Sequence, residues 1–126
     1  MLPRVLVVDD DTLYAEAATA ILDREGTFDV VGRAADGREA VELALALRPD
    51  VVLMDIDMPV MDGLEATRSL RRLLPSTKVV VVTSSPSASN RWSARGAGAY
   101  AFLAKELGTD ALVEATLSAA LEAVAR

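Results

Sequence analysis

Five short apolar runs constrain the fold of this chain more than any other feature. Four are rich in β-branched residues and the fifth is weaker: Val5–Val8, Phe28–Val31, Val51–Met54, Val79–Val82 and Ala99–Ala104. Each run is too short and too uniformly apolar for an amphipathic helix, and this pattern is typical of parallel strands covered on both faces. Stretches of helical period separate the runs. The sequence therefore predicts one α/β domain over residues 1–126, in which strand and helix alternate five times.

Apolar stripes predict which helix faces are buried. The first and last stripes comprise Leu13, Tyr14, Ala17, Ala18, Ile21 and Leu22, and Leu112, Val113, Leu117, Ala120, Leu121 and Val124. A third helix is lined by Leu64, Leu70, Leu73 and Leu74, and Pro75 is expected to end it. Asp36 and Asp62 each precede a helical stretch with a glutamate three residues later, which predicts two capping boxes.

The fourth predicted helix is the least well patterned. Ser85 followed by Pro86 predicts an N-cap with proline at the first helical position. The segment 87–98 is rich in serine and contains two glycines, so we expect it to be short or mobile. Trp92 is interpreted as a partly buried packing or interface residue.

Composition excludes several classes of function. The chain has no cysteine and no histidine, which rules out a disulfide framework, a Cys/His zinc site, a cysteine nucleophile and a histidine general base. A net charge of −6 with no basic stripe disfavours nucleic acid binding by this chain. No apolar stretch approaches the ~20 residues of a membrane helix, and we expect a cytoplasmic protein.

Charged and hydroxyl side chains follow the predicted strands. Three aspartates, Asp9 to Asp11, follow the first run, Asp55 and Asp57 follow or lie just beyond the third, Thr83 follows the fourth, and Lys105 follows the fifth. Because the carboxyl ends of parallel strands meet at one edge of a sheet, these groups converge there. Buried charges are costly unless partners gather around them, and a cation with a phosphoryl group is the simplest explanation.

The residue types at this edge suggest phosphoryl chemistry. A carboxylate such as Asp55 can attack phosphorus and form an acyl phosphate, provided that a cation offsets the repulsion between anions. Asp9 and Asp10 are placed to hold Mg²⁺ together with Asp55. Lys105 and the Thr83 hydroxyl can bind phosphoryl oxygens. Asp11 and Asp62, by contrast, are most simply helix caps.

Four segments resemble one family in order and spacing. They are Val7–Asp10, Val51–Gly63, Val82–Ser84 and Phe102–Lys105. Together they closely resemble the receiver domain of bacterial two-component response regulators. The resemblance implies a doubly wound, flavodoxin-like (βα)5 fold with a five-stranded parallel sheet of order 2-1-3-4-5.

The resemblance also implies a function. Asp55 would accept a phosphoryl group from a phosphohistidine of a sensor histidine kinase, and the domain would catalyse only its own phosphorylation and dephosphorylation. The Asp57 backbone carbonyl would complete the Mg²⁺ ligands. Thr83 and Phe102 would act as switch residues that change the face formed by the fourth helix, fifth strand and fifth helix.

Details of the chain are similar to one subgroup. Glu106 follows Lys105 where many relatives have proline, and Arg48–Asp55 and Gly63–Arg68 also resemble receivers of LuxR/NarL-type transcription factors. This resemblance implies an output domain outside the chain that binds DNA, and a possible homodimer on phosphorylation.

Two alternative functions remain open at this stage. A pseudo-receiver would bind partners without phosphorylation, but such domains usually lack one of the acid, threonine or lysine residues present here. Asp55 and Asp57 could also form the DxD motif of a haloacid-dehalogenase-type phosphatase. That motif normally ends the first strand, however, and the phosphatase fold needs a longer chain.

Overall fold

The computed structural model describes residues 1–125, and it contains one parallel sheet flanked by helices. The strands are β1 (Arg4–Val8), β2 (Asp29–Ala34), β3 (Val51–Met54), β4 (Lys78–Thr83) and β5 (Ala101–Ala104). The helices are α1 (Thr12–Glu25), α2 (Gly37–Leu47), α3 (Gly63–Leu73), α4 (Ala88–Ala97) and α5 (Thr109–Val124), and a 3-10 turn spans Lys105–Leu107. All pairings are parallel in the order β2-β1-β3-β4-β5, so the predicted fold class is confirmed.

The two faces of the sheet carry separate apolar layers. Successive residues of a strand point to opposite faces, so that Leu6 and Val8 belong to one layer, while Val5 and Val7 belong to the other. Helices α2, α3 and α4 cover the first layer, and α1 and α5 cover the second. This double cover explains why the strand sequences are uniformly apolar.

The helices that cover the second layer turn small side chains towards the sheet. Leu117, Leu121 and Val124 of α5 are exposed, and Leu13 of α1 is 78% exposed, so their predicted burial was wrong. Other members of the predicted stripes are buried as expected, namely Ala18 and Leu22 of α1 and Leu112 and Ala120 of α5. Ala15, Thr116, Ala119 and Ala123 are buried beside them, although they were not predicted. Alanine lets a helix approach the sheet closely, and the buried face is therefore centred on small side chains next to the predicted leucines.

Helix α3 follows its prediction more closely. Leu70 and Leu74 are buried and Leu64 is half-buried, whereas Leu73 is exposed. The last helical residue is Leu73, so the helix ends shortly before Pro75, as predicted.

The start of α4 differs from the prediction. Ser87 is the N-cap, and its hydroxyl accepts a hydrogen bond from the Asn90 N–H at 3.0 Å, so the predicted cap at Ser85 was wrong. Ser85 stays with the preceding strand because its N–H donates to the Thr83 hydroxyl at 2.9 Å. The serine-rich segment is nevertheless a regular helix of 10 residues, and Trp92 on it is 78% exposed rather than partly buried.

Candidate functional site

The carboxyl ends of the strands bring the predicted site residues to one edge. Asp9 follows β1, Asp55 follows β3, Thr83 ends β4 and Lys105 follows β5. Asp9 and Asp55 are each only 5% exposed, although Asp10 is exposed. Residues from four strands are thus adjacent in the fold despite their separation along the chain.

Three carboxylates form a compact cluster at this edge. Asp9, Asp10 and Asp55 each offer an oxygen, and these oxygens lie within 4.8 Å of one another. Carboxylate oxygens are the ligands that Mg²⁺ prefers. The donor set therefore fits a hard divalent cation.

The geometry around Asp9 shows how the cluster is held. One Asp9 oxygen accepts the Asp11 N–H at 2.9 Å, and the other lies 2.7 Å from the Lys105 ammonium. Lys105 is also 4.4 Å from the centre of the Tyr14 ring. This ion pair between Lys105 and Asp9 is the only one found in residues 1–125.

The environment of Asp55 disfavours its charge. Burial raises the pKa of the Asp55 carboxyl from its ordinary 3.8 to about 7, and the neighbouring Asp9 carboxylate adds to the rise. The Lys105 ammonium and the Asp57 backbone N–H lower this pKa, and Asp10 raises it further. A buried carboxyl with a perturbed pKa beside two like charges is a common property of functional sites.

The pKa of Tyr14 is affected by the same carboxylates. Burial raises the pKa of the Tyr14 phenol to about 12, and the charges on Asp9 and Asp55 contribute to the rise. The phenol is therefore neutral at physiological pH. From the sequence, Tyr14 was predicted only as part of an apolar stripe, and its contact with Lys105 was not predicted. The available signal was its position in the first turn of α1, three residues after Asp11.

Thr83 ends β4 and Phe102 lies on the neighbouring strand β5, as the sequence predicted. Thr83 is fully buried and its hydroxyl accepts the Ser85 N–H. Phe102 on β5 is half-buried against the layer covered by α2, α3 and α4, and the Arg91 guanidinium lies 4.7 Å from its ring centre. Their switch roles remain predictions.

The loop from β3 to α3 carries the acceptor candidate and ends at a tight contact. A Cβ atom on Gly63 would lie 1.9 Å from the Asp55 backbone oxygen, so only glycine fits. The Gly63 N–H donates to the Ile56 carbonyl at 3.2 Å. Gly63 ends one of the segments that resemble the receiver family, but the sequence did not reveal this steric reason.

The remaining acidic residues near the edge have other positions. The Asp11 side chain caps α1 by accepting the Leu13 and Tyr14 N–H groups, and Asp62 caps α3 by accepting the Glu65 N–H. The Asp57 side chain is exposed and lies outside the carboxylate cluster. Both cap predictions are confirmed, and the predicted role of Asp57 concerns only its backbone carbonyl.

Comparison with known proteins identifies the family. The family model for the response regulator receiver domain matches residues 5–117. The chain is 41% identical over 112 residues to the transcriptional regulatory protein DegU of Brevibacillus brevis, covering 89% of this chain and 48% of DegU. It is 45% identical over 113 residues to the response regulator GacA of Pseudomonas aeruginosa, covering 89% of this chain and 52% of GacA.

A solved structure agrees with these sequence relatives. The signal receiver domain of the response regulator NarL from Mycobacterium tuberculosis superimposes with a TM-score of 0.90 at 37% identity, covering 94% of this chain and 96% of that domain. The chain spans about half the length of the two curated regulators it matches. This chain therefore belongs to the receiver-domain family of two-component response regulators.

Proposed function

We propose that Asp55 accepts a phosphoryl group from a phosphohistidine of a sensor histidine kinase. The observation that carries the proposal is the position of Asp55: buried at a strand end, with two further carboxylates within 4.8 Å and the Lys105–Asp9 ion pair beside it. Asp9, Asp10 and Asp55 would hold Mg²⁺, and the Asp57 backbone carbonyl would be a further ligand. Bound Mg²⁺ would offset the repulsion between the anionic acceptor and the anionic donor.

The transfer itself requires an ionised acceptor. An Asp55 carboxylate oxygen forms the new bond to phosphorus while the phosphorus–nitrogen bond of the donor breaks, and the imidazole nitrogen keeps that electron pair. Lys105 lies close enough to the acceptor to lower its pKa, and its ammonium would then bind a phosphoryl oxygen. The Thr83 hydroxyl would bind another.

Phosphorylation would change a surface distant from the acceptor. Thr83 now accepts the Ser85 N–H at the start of the β4–α4 connection. If the hydroxyl turned to a phosphoryl oxygen, this bond would be lost and the connection could rearrange, together with Phe102 on the next strand. The changed surface would be formed by α4, β5 and α5.

The output of the whole protein is inferred from its relatives. DegU and GacA are regulators about twice as long as the matched segment. By analogy with them, this receiver would be joined to a DNA-binding output domain. Protein-glutamate methylesterases also match, which shows that receivers of this kind are joined to enzymes as well. We infer that the whole protein controls transcription in the cytoplasm and forms a homodimer on phosphorylation. We also infer that the receiver domain catalyses only its own phosphorylation and dephosphorylation. No helix within residues 1–125 has the length and apolar character to cross a membrane.

Intact-mass analysis after incubation with acetyl phosphate tests the acceptor. The chain should gain one phosphoryl group in the presence of Mg²⁺ and none after chelation. Asp55→Asn should abolish the gain. Asp57→Asn is the matched control, since it alters an exposed carboxylate outside the cluster but keeps the backbone carbonyl.

Two results would contradict the proposal. Labelling that persists in Asp55→Asn would place the acceptor elsewhere. A folded wild-type chain that binds Mg²⁺ but is labelled neither by acetyl phosphate nor by phosphorylated kinases would be a pseudo-receiver instead.

A further inference from the structure

We propose that Tyr14 positions the Lys105 ammonium at the acidic edge by presenting its ring face to it. The inference rests on the proposed function, because it concerns the lysine that would bind the transferred phosphoryl group. Tyr14 is a positioning residue in this proposal and acts only through Lys105.

The Lys105 ammonium makes two contacts. Its ammonium lies 2.7 Å from one Asp9 oxygen and 4.4 Å from the centre of the Tyr14 ring. A cation within about 6 Å of a ring centroid is attracted by the electrons of the ring face. The Lys105 side chain is only 15% exposed, so water weakens this attraction less than at an open surface. The ammonium is thus held by one carboxylate and one aromatic face.

The two contacts differ in what they do to the charge. Pairing with Asp9 neutralises the ammonium and draws it towards the β1 side of the edge. The ring of Tyr14 attracts the ammonium without neutralising it, so the full positive charge stays available to an incoming anion. A lysine side chain has a flexible four-carbon stem, and a second contact restricts the positions that the ammonium can reach.

Packing alone does not require an aromatic residue at this position. Tyr14 is half-buried at the margin of the layer formed with α1 and α5, where a leucine could contribute a similar apolar surface. Leucine has no π face, however, and could not attract the ammonium. A pair of substitutions therefore separates the two roles: Tyr14→Phe keeps the ring, and Tyr14→Leu keeps only apolar bulk.

Nuclear magnetic resonance can detect the contact without any phosphodonor or metal. The chain has only two lysines, Lys78 and Lys105, so lysine-specific ¹³C labelling gives a simple spectrum with Lys78 as an internal reference. The ring current of Tyr14 should shift the ε-methylene signal of Lys105 upfield. Tyr14→Leu should remove this shift and leave Lys78 unchanged, whereas Tyr14→Phe should retain it.

Phosphorylation kinetics test the consequence. With acetyl phosphate and saturating Mg²⁺, Tyr14→Leu should slow labelling of Asp55 by about fivefold, as expected for loss of a partly buried cation–π contact. Tyr14→Phe should stay within about twofold of wild type. Ile21→Ala is the matched control for lost packing on α1: it should lower the unfolding midpoint without affecting the Lys105 signal or the labelling rate.

The outcomes are distinguishable. A Lys105 signal that does not respond to Tyr14→Leu would overturn the inference, as would equal slowing by the leucine and phenylalanine variants. If the wild-type chain takes up no phosphoryl group, the proposed function fails, and the Lys105 signal still decides whether Tyr14 holds the ammonium.

Discussion

At the scale of single residues, the most consequential side chain is the Asp55 carboxyl. Its pKa is raised to about 7, chiefly because it is buried and secondly because Asp9 lies beside it. The fold therefore tolerates a group whose charge it disfavours. Such a position is difficult to explain by stability, and it is expected where a carboxyl must meet a cation and a reactive anion.

The raised pKa predicts how stability depends on pH in the absence of divalent cations. The folded chain holds the Asp55 proton more tightly than the unfolded chain, so the stabilisation is complete below the unfolded pKa of about 4 and is lost as the pH rises through about 7. Between pH 5 and pH 8 this contribution should fall by about 2–3 kcal/mol. Urea unfolding in the presence of a chelator measures it.

Asp55→Asn is the variant that isolates this contribution. The asparagine cannot ionise, so the variant does not lose this stabilisation as the pH rises. The free energy of unfolding of the variant should therefore increase relative to that of the wild type between pH 5 and pH 8. Ionisable groups far from position 55 contribute equally to both proteins, so their contributions cancel. A difference that does not change between pH 5 and pH 8 would show that the Asp55 carboxyl has an ordinary pKa.

How much of the site could be predicted depends on the kind of interaction. The convergence of Asp55, Asp9 and Lys105 could be predicted because ionisable groups after buried strands leave a clear signal in the sequence. The contact of Tyr14 with Lys105 could not be predicted, because an aromatic residue on an apolar stripe looks the same whether its ring packs against aliphatic groups or against an ammonium. The packing of Gly63 against Asp55 was missed because the contact is made by backbone atoms.

At the scale of elements, the β3–α3 loop combines a strained residue with a close contact. Val60 has φ +69°, and the Met61 N–H donates to the Pro59 carbonyl at 2.8 Å, which together form a γ-turn of the rarer, positive-φ kind. A β-branched residue in this conformation is unusual. Its side chain is 79% exposed, so no packing compensates for the strain.

Substituting Val60 should therefore stabilise the chain. Val60→Gly removes the clash of the β-branched side chain with its own backbone and should raise the free energy of unfolding by about 0.5–1 kcal/mol, after the greater entropy of glycine in the unfolded state is subtracted. Urea denaturation measures the change. A lower stability of the glycine variant would mean that Val60 makes a favourable contact in solution.

Gly63 should respond in the opposite direction. In Gly63→Ala the new Cβ would meet the Asp55 backbone oxygen at 1.9 Å, so the loop or helix α3 must move, and we expect a loss of about 2 kcal/mol or more together with slower phosphorylation.

Gly96→Ala is the control for the Gly63 substitution. Position 96 lies inside α4, and a Cβ there would have no neighbour within 4 Å. The same chemical change should be neutral or stabilising by up to about 1 kcal/mol, because alanine favours helix. Equal effects at both positions would contradict the steric explanation.

Prediction from sequence was uneven across the elements. The bounds of β3 were predicted to the residue because its run is buried on all sides and flanked by polar residues. The start of α4 was predicted wrongly because serines flank Pro86 on both sides, and each can cap a helix. The choice between them depends on the Thr83 hydroxyl, which belongs to another element and holds Ser85.

At the scale of the whole molecule, cation binding should be linked to folding. Asp55 lies beside the neighbouring Asp9 and Asp10 only in the folded chain, so the three carboxylates form one site there and Mg²⁺ should bind chiefly to the folded state. At a free Mg²⁺ concentration 100 times the dissociation constant, the chain should gain about 2.7 kcal/mol of stability. Thermal unfolding across a Mg²⁺ titration measures this gain.

Asp10→Asn tests whether the gain comes from the cluster. The variant should bind Mg²⁺ more weakly and show a smaller rise in unfolding midpoint, while its midpoint without Mg²⁺ should be equal to or above that of wild type because one repulsive charge is gone. Sodium chloride at matched ionic strength controls for general salt effects. An unchanged Mg²⁺ response in Asp10→Asn would contradict the metal assignment.

The pairing of Lys105 with Asp9 offsets only part of the negative charge at the acidic edge. Three carboxylates and one ammonium leave it net negative, so phosphate and phosphodonors are repelled unless a divalent cation arrives with them. Under the proposed function, the edge would therefore work as an AND gate: a cation and a donor would both be required, and neither alone would produce an output.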